Sequence, residues 1–165
     1  MQLSQDQTSV VAQFLLADYE SEIATTRRVI AAVPEGQPDY APSPKCMPAL
    51  KLVIHLPTAE DMFLRGILEG TFNPDRQAAE SLKTVAEVLA WYDEKIPALV
   101  EQVKKAPASV WTREIDFFGM ANFTGLQVLT IMLKHSIHHR GQLSSYLRPM
   151  GGKVPDIYGP SGDDK

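Results

Sequence analysis

The 165-residue chain has one cysteine, Cys46, and only four histidines. A single thiol closes no disulfide within the chain, so the fold has to rest on its core, as suits a reducing compartment. Cys46 has no histidine beside it in sequence to make it a nucleophile and reads as a packing residue near a helix start. Positive charge is also scarce: 16 Lys and Arg against 20 Asp and Glu leave a net charge of −4. An electrostatic nucleic-acid binder shows the opposite balance, and that class is set aside. No stretch approaches the ~18 apolar residues that a membrane span needs. The opening residues, Met1 to Gln7, lack a basic segment followed by an apolar one, so the expected location is the cytoplasm, with no membrane partner.

What remains is an ordinary globular composition, 44% hydrophobic and 22% charged, read as one domain over 1–165. Ser4 and Gln7 form a capping box that opens a helix over 4–33. The stripe Val11, Leu15, Asp18, Glu22, Thr25, Val29, Ala32 is polar in its middle, so either the core face is the neighbouring side through Phe14 and Leu16, which is the expected one, or the polar residues line a pocket. Residues 34–46 hold four prolines and read as an ordered crossover. A second helix spans 47–69, with His55 inward on a stripe with Leu52, Ala59 and Met62 and a kink expected at Pro57. Residues 71–83 connect to a third helix, capped by Thr84 and Glu87 and running to Lys104, which Pro97 should bend or divide. The aromatic stretch 106–123 reads as an irregular cap, with a strand over Trp111 to Phe118 disfavoured. The fourth helix runs from Thr124 to Arg148, followed by a proline-stiffened tail and a frayed end over 161–165. Four long helices without a convincing strand predict an all-α, up-down four-helix bundle. On the fourth helix, Leu129, Leu133, Ile137 and Leu147 form an apolar strip, from which a homodimer is expected.

Three of the four histidines fall within five residues of that helix. An α-helix turns about 100° per residue, so His135 and His139 are offset by only about 40° and both imidazoles can reach one ion. They continue the stripe Val128, Met132, His135, His139, Gln142, Tyr146, which passes from apolar groups to ligands and hydrogen-bonding groups. His138 lies about 100° away and points elsewhere. Spacing alone leaves two readings open: a metal-binding pair, or core histidines satisfied by their neighbours.

The run His135-Ser-Ile-His-His-Arg-Gly-Gln-Leu-Ser-Ser-Tyr-Leu-Arg148, with Val154-Pro-Asp-Ile-Tyr-Gly-Pro-Ser161 after it, resembles the C-terminal signature of the DinB-like proteins, bacterial metal-binding four-helix bundles. Ala24-Thr-Thr-Arg27, Pro34-Glu-Gly36 and the inward His55 followed by Leu56 resemble the same family. The resemblance implies a divalent metal, zinc or nickel, held by His55, His135 and His139. It implies a metal-dependent transferase acting on a small-molecule substrate with a low-molecular-weight thiol. A metal-dependent hydrolase, or a non-catalytic metal-binding stress-response protein, would use the same ligands. Asp18, Glu22 and Glu60 are candidates to accept a ligand histidine's N–H, against the plainer reading of surface or capping carboxylates. Arg140 is a candidate to bind a substrate or cofactor carboxylate, against an ion pair that closes the helix on the tail. Tyr158 is a candidate to cover the pocket mouth, against simple packing.

Overall fold

The computed structural model describes residues 3–164. Its elements in chain order are α1 (Gln5–Ala31), α2 (Ala49–Glu69), α3 (Arg76–Ser81), α4 (Val85–Lys104), α5 (Ser109–Thr112), β1 (Glu114–Phe117), β2 (Ala121–Thr124) and α6 (Gly125–Leu147), with a short 3-10 turn at Gly162–Asp164. Three of the four long helices open with a capping box: Ser4 with Gln7, Thr84 with Glu87, and Thr124 with Gln127. Each box satisfies two of the amide groups that a helix start leaves free. Gly70, at φ +83°, closes α2 in the left-handed conformation that costs glycine nothing.

The core forms two layers. In one, Val29 and Ile30 near the end of α1 and Leu143 and Leu147 near the end of α6 pack with the first turns of α2 and α4. In the other, Leu16 of α1 and Val128 of α6 pack with the last turns of α2 and α4. Two helices therefore run up and two down, which is the four-helix bundle expected from the sequence. Both α1 and α2 pack against α4 and α6, so α1 and α2 stand diagonally across the bundle. Residues 32–48 make that crossing and are tied to the start of α2. Ala49 N–H donates to the Tyr40 carbonyl (2.8 Å) and Leu50 N–H to that of Pro38 (3.0 Å).

Several expectations need correction. The core face of α1 runs through Ala12, Leu16 and Tyr19, while Phe14 is 73% exposed. Phe14 and Leu16 are about 200° apart on a helix and cannot share a face. Neither Pro57 nor Pro97 divides its helix: α2 and α4 both run on past the proline as helix. The 106–123 stretch is not irregular. It contains α5 and an antiparallel hairpin in which Phe117 pairs with Ala121. The Asp116 carboxylate accepts from Gly119 N–H (3.0 Å), and Phe118 and Gly119 both take positive φ to make the turn. Only Ile115 of the two strands is buried, too few residues to write an alternating pattern. Within the frayed end, Ser161 to Asp163 are held: the Asp163 carboxylate pairs with Arg148 and accepts from Val154 N–H; Lys165 lies outside the described residues. Leu129, Leu133 and Leu147 are buried by their own chain, leaving only Ile137 of the strip exposed, so that strip requires no second copy.

Candidate metal centre

Direct packing of α2 on α6 brings together histidines that are 80 residues apart in the chain. His55 Nε2 lies 3.1 Å from His135 Nε2, and one ring nitrogen from each of His55, His135 and His139 falls within 4.8 Å of the others. Tetrahedral zinc with nitrogen ligands at about 2.0–2.1 Å sets neighbouring nitrogens roughly 3.3 Å apart, so the donor set fits a divalent ion with modest adjustment. Among the described residues no carboxylate or thiol joins the cluster. His138 is exposed and stays outside it, its ring 5.0 Å from that of His139.

The protonation of His139 follows from its neighbours. The Tyr146 hydroxyl donates its one proton to the Met47 carbonyl (3.2 Å). At that oxygen Gln142 must then present its amide N–H (3.1 Å), which turns the Gln142 carbonyl toward His139. His139 Nδ1, 3.0 Å from that carbonyl, therefore carries the proton, and its Nε2 keeps a lone pair for a metal. Both Gln142 and Tyr146 already stand on the histidine stripe in the sequence.

Burial, reinforced by the neighbouring histidines, pushes His135 down to about 4. Burial also lowers His55 and His139, with histidine neighbours adding to the effect and the Gln142 contact opposing it at His139. The three rings are thus neutral near pH 7, the form that binds a metal. His135 Nδ1 is buried without a partner, and its ring lies edge-on to Phe63 with centroids 5.5 Å apart.

The carboxylate candidates are placed elsewhere. Glu60 is fully buried at the bundle centre and accepts from the hydroxyls of Tyr19 (2.7 Å) and Tyr92 (3.0 Å). Asp18 is exposed. Glu22 forms an ion pair with Arg140. None of the three accepts from a histidine; Gln142 fills that role. Arg140 is itself buried, bonded to Thr26 (3.3 Å) and to the Tyr158 hydroxyl, with its guanidinium over the Tyr158 ring. The structure joins Arg140 to Tyr158, therefore, but spends both on closing α6 against α1 and the tail.

The fold and site together define a four-helix bundle with a three-histidine cluster on the seam of two helices. The DinB family model matches residues 5–164, and the chain belongs to that family. The uncharacterised protein YjoA of Bacillus subtilis (strain 168) is 32% identical over 141 residues, covering 83% of this chain and 89% of that one. The crystal structure of YjoA, a DinB-like protein, superposes with a TM-score of 0.73 at 28% identity, over 88% of this chain and 97% of that chain. YfiT from Bacillus subtilis, described as a probable metal-dependent hydrolase with an unusual four-helix bundle topology, shares the fold. Its TM-score is 0.66 at 18% identity, over 91% of each chain.

Proposed function

We propose that the protein is a metal-dependent enzyme acting on a small molecule, with a low-molecular-weight thiol as co-substrate. The observation that carries this reading is the donor count: three imidazole nitrogens and no fourth protein ligand among the described residues. Three ligands with a free position are the pattern of catalytic rather than structural zinc sites. All-imidazole donors suit zinc or nickel. A divalent ion held there supplies Lewis acidity toward a thiol, a water or a carbonyl oxygen. The chain's own part is to hold three neutral rings in place. Gln142 fixes the His139 tautomer, and the Phe63 ring shields one side of His135 from water. A bundle with this much core does not need a metal to fold, which favours chemistry over a purely stabilising ion.

Thiol transfer is preferred on family resemblance. Hydrolysis is the second reading, favoured by the description of YfiT, which shares the fold. The test is to load the protein with cobalt and follow its visible spectrum during titration with cysteine as a model thiol, and then with azide as an anion. A change in the ligand-field bands on thiol addition is expected. A spectrum that neither thiol nor azide alters would show a closed coordination sphere and leave a non-catalytic metal-binding protein. A response to azide without a response to thiol would favour hydrolysis.

A further inference from the structure

A cavity of about 450 Å³ opens beside His55. It lies in the range of small-molecule sites, roughly 300–1,000 Å³. One wall is the outer face of α2, where Lys51, Ile54, His55 and Thr58 follow one another at helical spacing. The facing walls are the crossover, through Pro38 and Met47, and the segment after α3, through Leu82 and Lys83. The crossover wall is stiffened by its prolines and tied to α2 by the Ala49 and Leu50 amides, so the cavity is preformed.

Its chemistry is two-sided. The lining is largely apolar, with Met47, Leu50, Ile54 and Leu82 able to cover an organic body. Lys51 and Lys83 stand exposed at the rim, and among the described residues neither forms an ion pair. Asp39 is the single acid in the lining against the two lysines, and just outside it the Glu87 carboxylate accepts from the Lys83 amide (2.7 Å). A positive spot on an acidic surface concentrates anions. Lys51 precedes His55 by one helical turn, about 6 Å along the axis.

We infer that this cavity is the substrate site and that it takes a small organic anion with an apolar body. The anionic group meets Lys51 and Lys83, the body lies over Ile54, and the far end reaches the histidines at His55. The identification of the ligand as substrate rests on the metal-dependent reading above; the binding of the anion does not. Thr58 keeps its hydroxyl on the Ile54 and His55 carbonyls and turns no free donor into the cavity.

The experiment titrates the full-length protein, metal-free and zinc-loaded, with octanoate, octan-1-ol and octylammonium, following amide NMR shifts. Octanoate is expected to bind most tightly, with shifts confined to the cavity lining. In a double variant, Lys51→Glu with Lys83→Glu, its affinity should fall about tenfold or more, while octan-1-ol binding and zinc content stay unchanged. Equal binding of octylammonium, shifts outside the cavity, no octanoate binding, or an octanoate affinity indifferent to the two lysines would overturn the inference. Those outcomes leave the zinc content and the cobalt–thiol response standing. Lysine-dependent octanoate binding in a protein whose cobalt spectrum ignores thiol and azide would instead sink the enzymatic reading and leave the anion site.

Discussion

Glu60 and His55 stand five residues apart on α2, the first enclosed at the centre of the bundle and the second half-buried at the seam with α6. Glu60 is met by hydroxyls from two other helices, Tyr19 on α1 and Tyr92 on α4. Burial still pushes its carboxyl above the usual range, the two tyrosines and Ser136 opposing that shift. Its Oε2 is thus answered by two hydroxyl donors, while its Oε1 is buried without a partner. His55 is answered by its own kind: its Nε2 faces another Nε2 at 3.1 Å, and two bare imidazole lone pairs at that distance repel. A proton or a cation has to stand between them. The depressed basicity of all three rings keeps them neutral near pH 7, each with a single N–H, so one Nε2 proton can bridge the pair and a metal can take its place. The acid meets hydroxyl donors from its own chain; the three histidines meet one another, as suits a shared ligand.

That contrast breaks most directly at the histidines. His139→Ala or His135→Ala should lower zinc affinity by about 100-fold or more, since two imidazoles make a poor site. His138→Ala should leave zinc content, measured by mass spectrometry after dialysis against a weak chelator, unchanged. Zinc retained in His139→Ala but lost in His138→Ala would overturn the assignment. A smaller effect is expected one step out. Gln142→Leu removes the acceptor that fixes the His139 tautomer and should weaken zinc binding by roughly 10-fold or more. Tyr146→Phe keeps the ring but frees the Gln142 amide to rotate, so its loss should be smaller and in the same direction. If both variants bind zinc like the wild type, His139 is oriented by something else.

The smallest effect sharpens the other half of the comparison. A carboxyl whose folded-state pKa is raised adds stability that is full below its unfolded value and is lost as pH rises through the folded one. Glu60→Gln still offers a carbonyl to Tyr19 and Tyr92 but cannot ionise. The variant should therefore gain on the wild type in urea midpoint between pH 5 and pH 8. A difference that is constant with pH, or that moves the other way, would mean that Glu60 is not the strained acid its burial implies.

Much of this was legible in the sequence where it is local. The capping boxes at Ser4 and Thr84 need only residues three apart, and the stripe from His135 to Tyr146 needs only helical periodicity. Features that depend on which helices become neighbours were not. The burial of Glu60 is decided by Tyr19 and Tyr92 from other helices, and nothing in α2 alone announces it. The same holds for Leu129, Leu133 and Leu147, which looked uncovered on an isolated helix and are covered by the bundle. The hairpin escaped because its register rests on one buried residue and an Asp116–Gly119 turn.

Met47 belongs to two structures at once: its side of the crossover lines the cavity, and its carbonyl receives the Tyr146 proton that orients Gln142 and, through it, His139. Met47 thus gives the cavity and the histidines a shared wall. If a guest displaced Met47 and thereby changed metal affinity, reciprocity would require the metal to change the guest's affinity by the same factor. The crossover that carries the chain diagonally over the bundle is therefore also a stretch that touches both the cavity and the hydrogen-bond chain behind His139.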